Sequence, residues 1–369
     1  MDKFEIKDGV AIIPKGTREI PNNAFFGCTS LTTIIIPESV TSIGSGAFEG
    51  CSSLTSVVIP ESIKRIGSFA FSECSLLKSV VIPKGVKIIG NNAFQYCTSL
   101  TSIVISDGVE CIKGRAFFGC TSLTSVFIPQ SVTSIGEAVF GACTSLTSIV
   151  VEEENPIYDS RDNCNAIIET ATNTLIKGCS SPTSITIPSS VTNIRHFAFS
   201  RCSLLTSVFI PKNVTSIGEA AFSGCDSLTS IVVEDGNPIY DSRDNCNAII
   251  ETATNTLIQG CSSPTPITIP SSVTSIGCGA FSGCYSLTSV VIPESVTSIE
   301  GYAFYGCSSL EIVHLPAGVS NLEIDSFKDC CNLKAICVPE DKVDYYKEHF
   351  PVDMHWLIVE EGSDLPVKA

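Results

Sequence analysis

The sequence predicts a β-rich solenoid, and three observations support this fold class. A unit of 23 residues recurs eleven times, starting at residues 14, 37, 60, 83, 106, 129, 188, 211, 270, 293 and 316. Two longer units of 36 residues, 152–187 and 234–269, interrupt the series without breaking its phase. In each unit apolar residues alternate over a few positions, as a short half-buried strand requires. Repeats of this length indicate one stacked array rather than separate globular domains.

Three residue types recur at fixed positions in every 23-residue unit. The phenylalanines are Phe25, Phe48, Phe71, Phe94, Phe117, Phe140, Phe199, Phe222, Phe281, Phe304 and Phe327. A cysteine follows each of them by three residues, from Cys28 to Cys330, and a leucine follows three residues later, from Leu31 to Leu333. Chance does not keep three columns in phase through eleven copies, so the periodicity defines the fold.

The unit at 37–59 shows which side chains point inward. The inward positions predicted from its spacing are Val40, Ile43, Ala47, Phe48, Cys51, Leu54, Val57 and Ile59. Eight side chains are too few to form a core in one unit, but stacked units place the same positions in continuous ladders. The chain therefore divides into an N-terminal cap (1–13), the solenoid (14–338) and a C-terminal cap (339–369). The last of these contains the aromatic cluster Tyr345, Tyr346, Phe350 and Trp356.

The repeat pattern C-x-x-L-x-x-V/I-x-I-P-x-x-V-x-x-I-x-x-x-A-F resembles that of the BspA-like, or Treponema pallidum type, leucine-rich repeat family. The resemblance covers almost the whole chain. It implies a right-handed leucine-rich-repeat superhelix with a parallel sheet on its concave face. It also implies a surface protein of the adhesin kind, whose partner is a host or matrix protein. Function does not follow from fold alone, so this last implication is an analogy.

Each long unit contains the run AIIE-TATN-TLI, which predicts two short strands around a polar turn. We expect a hairpin that replaces one ordinary coil and either projects from the sheet or extends it. With a four-residue turn at 170–173, Glu169 pairs with Thr174. The same count places two cysteine pairs opposite each other as candidate disulfides, Cys164 with Cys179 and Cys246 with Cys261.

The outward positions of the main strand form two columns. The first is polar and contains Thr33, Ser56, Ser79, Ser102, Ser125, Ser148, Ser207, Ser230 and Ser289. The second begins at Ile35, contains the candidate protein-binding residues and continues to His314 and Cys337; these candidates are Val58, Val81, Val104, Phe127, Val150, Phe209, Val232 and Val291. We expect this column to be an exposed apolar stripe along the solenoid. Such patches usually mark binding surfaces, although β-branched residues also simply favour strands.

The charge balance narrows the classes of partner. The net charge is −16, from 22 Lys+Arg and 38 Asp+Glu, whereas nucleic-acid binding needs a basic face. No run of 18 apolar residues is present, which predicts no membrane insertion. Residues 1–10 lack the apolar centre of a signal peptide. A cell-surface or secreted location, implied by the resemblance, therefore stands beside a cytoplasmic alternative.

The cysteines and histidines, which could take part in catalysis, form no recognisable active site in the sequence. Eleven of the 19 cysteines occupy one inward column, where we expect a buried ladder of thiols rather than disulfides or a metal site. The four histidines belong to no catalytic motif. We therefore predict no enzyme activity, no cofactor and no metal. Two functions remain: an adhesin that binds a matrix or plasma protein, and an intracellular scaffold or inhibitor with another protein partner. An apolar stripe could also meet a second copy, so the oligomeric state stays open.

Overall fold

Each 23-residue repeat forms one coil with three sides, as seen in the computed structural model, which describes residues 4–180, 185–262 and 267–363. One side carries a strand of two to four residues, the second carries a strand of two residues, and the third is a turn segment that contains the repeat phenylalanine. Stacked coils make a parallel-sheet β-solenoid. The chain forms two compact units, Met1–Ser181 (unit 1) and Pro182–Ala369 (unit 2).

The strands of unit 1 alternate between the first and second sides of the coil, except at its N-terminal end and in the long repeat. In chain order they are β1 (Ile6–Lys7), β2 (Val10–Ile12), β3 (Glu19–Ile20), β4 (Thr33–Ile35), β5 (Ser42–Ile43), β6 (Ser56–Val57), β7 (Arg65–Ile66), β8 (Ser79–Ile82), β9 (Ile88–Ile89), β10 (Ser102–Ile105), β11 (Cys111–Ile112), β12 (Ser125–Ile128), β13 (Ser134–Ile135), β14 (Ser148–Val151), β15 (Tyr158–Asp159), β16 (Ala166–Glu169) and β17 (Thr174–Gly178). A 3-10 helix, Arg161–Asn163, separates β15 from β16.

Unit 2 repeats this alternation and has a helical segment before its last strand. Its strands are β18 (Ile185–Thr186), β19 (Asn193–Ile194), β20 (Ser207–Ile210), β21 (Ser216–Ile217), β22 (Ser230–Val233), β23 (Tyr240–Asp241), β24 (Ala248–Glu251), β25 (Thr256–Gly260), β26 (Ile267–Thr268), β27 (Ser275–Ile276), β28 (Ser289–Val291), β29 (Ser298–Ile299), β30 (Ile312–His314), β31 (Asn321–Leu322), β32 (Ala335–Val338) and β33 (Ile358–Glu360). Helix α1 spans Val343–His349, and 3-10 helices span Arg243–Asn245, Glu340–Lys342 and Val352–Leu357.

Neighbouring coils pair in parallel and in register with the sequence repeat. Val81 lies beside Val104 and Phe127 beside Val150, in each case 23 residues apart. The turn side is hydrogen-bonded as well, since the Phe25 N–H donates to the carbonyl of Ala47 at 2.7 Å. Because all three sides are linked in this way, few backbone polar groups remain without a partner inside the stack.

The interior consists of the predicted ladders. All eight inward positions of the 37–59 unit are buried, with Phe48 fully enclosed. In unit 1 the phenylalanine rings stack face over face with centroids 5.0 to 5.6 Å apart, from Phe4 to Phe140. In unit 2 the ladder at the C-terminal end closes with Phe350, whose ring lies 6.0 Å from that of Phe327. Offset stacking of this kind adds to the burial of the rings.

Both long repeats fold into the predicted hairpin. Strands β16 and β17 are antiparallel, and Glu169 lies opposite Thr174 as the count requires. In unit 2 the second strand of the hairpin, β25, joins the second sheet in register with β27. The hairpin therefore extends that sheet, which resolves the choice left open by the sequence.

A bulge shifts the pairing register of both hairpins and so changes which residues lie opposite their cysteines. The pairing shifts between Ile167 and Ile168, so the Cys179 N–H donates to the carbonyl of Asn165 instead of lying opposite Cys164. The second hairpin shifts at the equivalent place, between Ile249 and Ile250. The prediction that Cys164 faces Cys179, and Cys246 faces Cys261, is wrong by one residue for this reason. No disulfide joins cysteines in the part of the chain that the structure describes.

Candidate protein-binding surface

The outward face of the first side of the coil carries an apolar row in unit 1. We call it the unit 1 stripe; its residues are Ile12, Ile35, Val58, Val81, Val104, Phe127 and Val150. Their exposed fractions lie between 45% and 79%. The residues on either side of each stripe position within the strand point inward, because successive side chains of a strand alternate between faces. The stripe therefore follows from the alternation of side chains along the strand, because the repeat brings the same outward position to each coil of unit 1.

A polar row of threonines lies three residues before the stripe position in successive repeats and is fixed by its own hydrogen bonds. The Thr101 hydroxyl donates to the carbonyl of Lys78 at 3.2 Å, and the Thr124 hydroxyl donates to that of Thr101 at 3.4 Å. The same contact joins Thr147 to Thr124. Because each hydroxyl is tied to the preceding coil, these side chains lose little further freedom when a partner covers them. The stripe and this row form a surface that is ordered before binding.

Phe127 is the largest side chain of the unit 1 stripe and remains 49% exposed. Val150 of the following coil lies beside it in the parallel register, and Val104 holds the same position one repeat earlier. A ring held between two β-branched residues and open to solvent is the kind of anchor that dominates protein interfaces. Ile12 extends the stripe by one coil and was missed from the sequence. It lies one period before Ile35, so the 23-residue spacing was a signal that could have found it.

The apolar row of unit 2 is interrupted, which corrects the expectation of a continuous stripe. Phe209 is 41% exposed and lies beside Val232, but Thr186 occupies the place next to Phe209. Val291 is exposed beside Thr268. Farther along, His314 is half-buried with its Nδ1 3.5 Å from Glu361 Oε1, and Cys337 is buried. The threonines arise because each long repeat ends in a two-residue strand with threonine at the outward position.

Most thiols of the cysteine column are buried, and the contacts of Cys51 and Cys74 show how they are held. The Cys51 thiol donates to the carbonyl of Phe25 at 3.1 Å, and the Cys74 thiol donates to that of Phe48 at 3.2 Å. Burial raises the pKa of Cys51 to about 12 and raises that of Cys74 as well. A protonated, enclosed thiol is neither a nucleophile nor a good metal ligand at neutral pH.

Three histidines are bound to the backbone instead of to a catalytic partner. His349 Nδ1 lies 2.8 Å from the carbonyl of Tyr345, His355 Nε2 lies 3.0 Å from that of Phe350, and His196 Nδ1 accepts the Glu219 N–H at 3.0 Å. Within residues 4–180, 185–262 and 267–363, no group of His, Cys, Asp and Glu side chains is arranged to hold a metal ion. The described helices are all too short to cross a membrane.

Comparison with known proteins identifies the repeat. The model of the BspA type leucine rich repeat region matches residues 10–87, 66–167, 161–248 and 251–351. A leucine rich cell surface protein from Faecalibacterium prausnitzii A2-165 has 29% sequence identity and a TM-score of 0.59, over 91% of this chain and 89% of that one. Pneumococcal vaccine antigen PcpA shares the fold at 17% identity and a TM-score of 0.57, over 97% and 89% of the two chains. A leucine-rich repeat protein from Eubacterium ventriosum does so at 22% and 0.52, over 87% and 82%. No curated protein matches the chain.

Proposed function

This chain belongs to the family of BspA-type leucine-rich repeat proteins, and on that premise we propose that it is a cell-surface, adhesin-like protein that binds a host or matrix protein through the unit 1 stripe. The observation that carries the proposal is the exposure of the stripe, from Ile12 to Val150. Soluble monomers rarely leave a contiguous apolar row of this extent uncovered.

The dimensions of the stripe suit a protein partner. Stacked strands lie about 4.8 Å apart, so the row is roughly 30 Å long. A specific interface covers about 800 Å² on each partner, which is more than one row of side chains offers. The partner therefore also covers the polar row of Thr101, Thr124 and Thr147. Covering Phe127 and its valine neighbours contributes roughly 1.5–3 kcal/mol for each side chain that becomes fully buried.

The cell-surface location is supported by similarity. The relative from Faecalibacterium prausnitzii, at 29% identity over most of both chains, is a leucine rich cell surface protein. Extracellular matrix and plasma proteins are therefore the partners to test first. The proposed role is binding without catalysis. Its support is the uniformity of the repeats, because an active site needs residues that differ from their neighbours.

A second candidate function rests on the cysteines. Cys278 and Cys331 are exposed thiols, and most thiols of the column that contains Cys51 and Cys74 are buried. Exposed thiols suit a reducing compartment better than an oxidising one. An intracellular scaffold or inhibitor would use the same stripe with a different protein partner.

The test is a binding measurement with a matched control. Fibronectin and fibrinogen are immobilised, and binding of the full chain is followed by interferometry. The Phe127→Ser variant removes the exposed ring of the unit 1 stripe, whereas Phe26→Ser removes an exposed ring from the turn side. Loss of binding in Phe127→Ser alone supports the stripe as the adhesive surface. Binding that survives in both variants moves the site elsewhere. If the parent chain binds neither protein while it captures a defined intracellular partner through the stripe, the scaffold function replaces the adhesin.

A further inference from the structure

The second side of unit 1, with the turn that follows it, carries a patch of positive charge. Between residues 60 and 115 the chain has seven Lys or Arg and four Asp or Glu, although its net charge is −16. The excess of positive charge is therefore local. We call five exposed side chains from three successive coils the basic patch; they are Lys64, Arg65, Lys87, Lys113 and Arg115.

The strands of the second sheet bring the basic patch together. Arg65 lies beside Ile88 of the next coil, and Ile88 is itself exposed. The Lys87 N–H donates to the carbonyl of Lys64 at 3.0 Å, so these two side chains start from neighbouring positions. Lys113 directly follows β11 on the third coil. Neighbouring strands are about 4.8 Å apart, so the five cations share a strip roughly 10 Å wide along the stack.

Most of this charge has no carboxylate to neutralise it. Lys87 Nζ lies 2.7 Å from Glu110 Oε1, whereas the other four cations form no ion pair with any of residues 4–180, 185–262 and 267–363. The guanidinium of Arg115 lies 5.7 Å from the centre of the Phe118 ring, which attracts it through a cation–π interaction. The basic patch thus keeps its charge for an anion from outside the chain.

The fold does not require these cations. Other repeats form the same two-residue strand with threonine and serine in place of Lys64 and Arg65, namely Thr41–Ser42, Thr133–Ser134, Thr215–Ser216, Thr274–Ser275 and Thr297–Ser298. Six other repeats have glycine in place of Lys113, namely Gly44, Gly67, Gly90, Gly136, Gly218 and Gly277. The cations therefore add charge to positions that fold equally well without it.

Exposed aromatic rings continue the basic patch on the turn side of the same three coils. Phe69 is 37% exposed and Tyr96 is 43% exposed. The ring of Tyr96 meets that of Phe118 edge to face, with centroids 5.8 Å apart, and Phe118 in turn contacts Arg115. The face of an aromatic ring is negative and attracts polarised C–H groups, which sugar rings supply. Cations for anionic groups and rings for sugar faces are thus side by side.

We propose that the basic patch binds a sulfated polysaccharide of the glycosaminoglycan class. Its sulfate and carboxylate groups lie against the lysines, and the planar guanidinium of Arg65 or Arg115 binds two oxygens of one anion. A narrow single chain suits a strip three coils wide, whereas a broad polyanion such as duplex nucleic acid also meets the acidic remainder of the protein. The choice of a polysaccharide over single-stranded nucleic acid rests on the proposed cell-surface location.

The probe is a size-defined heparin oligosaccharide, titrated into the full chain and followed by calorimetry. Binding should weaken roughly tenfold or more when salt rises from about 50 to about 200 mM, because a linear polyanion releases its counterions on binding. The desulfated oligosaccharide should bind about tenfold more weakly, since it lacks the anions that pair with the cations. The proposal is overturned if heparin does not bind, or if a single-stranded oligonucleotide binds more tightly than heparin.

A pair of matched double variants locates the site. Lys64→Thr, Arg65→Ser introduces residues that other repeats have at these positions, so the fold is kept, and it should weaken heparin binding about fivefold or more. Lys15→Ser, Lys212→Ser removes the same charge from exposed positions outside the basic patch, where two other repeats have serine. This control should change binding by less than about twofold. Equal weakening by both double variants would refute the location.

The unit 1 stripe and the basic patch lie on different sides of the coil, so their failures are distinguishable. Phe127→Ser should leave heparin binding unchanged, and Lys64→Thr, Arg65→Ser should leave binding to fibronectin and fibrinogen unchanged. Heparin binding without protein binding would count against the stripe alone. Heparin binding that is lost in Phe127→Ser and kept in Lys64→Thr, Arg65→Ser would overturn the assignment to the basic patch.

Discussion

The backbone of Gly260 covers the ring of Phe281. Gly260 donates its N–H to the carbonyl of Ala280 at 2.8 Å, and a Cβ atom at this position would overlap Phe281 Cε1. Phe281 is the first ring of a stack that continues to Phe304 at 5.0 Å. A glycine at the end of the hairpin thus closes the phenylalanine ladder where the long repeat contributes no ring of its own.

Gly260→Ala should lower the free energy of unfolding by about 2 kcal/mol or more, because the added methyl group forces apart backbone and ring in a packed core. Urea denaturation measures the change. Gly301→Ala is the matched control, since nothing lies within 4 Å of a Cβ atom there. It should change stability by less than about 0.5 kcal/mol. Equal effects of the two substitutions would show that Gly260 does not close the ladder.

Ala138→Gly should stabilise unit 1 by up to about 1 kcal/mol. Ala138 has a φ of 50°, in the left-handed region that costs a residue with a Cβ atom roughly 1–2 kcal/mol. Glycine removes this cost but adds freedom to the unfolded chain, which offsets part of the gain. The control is Ala24→Gly, on the turn side of another coil and outside the positive-φ positions, which should destabilise. Thermal unfolding of both variants measures the change in stability. A loss of stability in Ala138→Gly would contradict the expectation.

Phe94→Ala should destabilise the chain by about 3–5 kcal/mol, because it opens a cavity in the ladder. Its ring is fully buried and stacks on Phe71 at 5.1 Å and on Phe117 at 5.3 Å. Phe26→Ala removes the same atoms from a position that is 60% exposed and should cost far less. Denaturant unfolding of both variants measures the difference, and similar losses would argue against the ladder as the main core.

Stability should fall as the pH rises above about 9. Burial raises the pKa of Cys51 from its usual 9.0 to about 12, so the native state keeps a proton that the unfolded chain releases in this range. The contribution is fully present below pH 9.0 and is lost as the pH rises toward about 12. Urea unfolding between pH 7 and 11 measures the slope. Cys51→Ala should give a shallower decline, and an unchanged slope would mean that other groups cause it.

The sequence alone determined the repeat and the direction of its side chains. A period of 23 residues fixes which positions recur on the inside, so Phe48, Cys51 and Leu54 could be placed in the core without coordinates. The alternation of the strand placed Phe127 and Phe209 on the outward face, where the structure has them. These inferences rest on local geometry that every coil repeats.

Only the tertiary structure decided what the irregular repeats do. The bulge between Ile167 and Ile168 shifts the cysteine register, and it depends on pairing across the hairpin that no periodic count contains. Thr268 interrupts the apolar row because the strand after the second hairpin pairs directly with β28. The Ser223 hydroxyl donates to the carbonyl of Ser282 at 3.3 Å, because β25 takes a place in the second sheet while its repeat contributes no turn segment between them. The 23-residue period specifies contacts between equivalent positions of successive repeats. These features come from contacts between non-equivalent positions, which only the folded chain brings together.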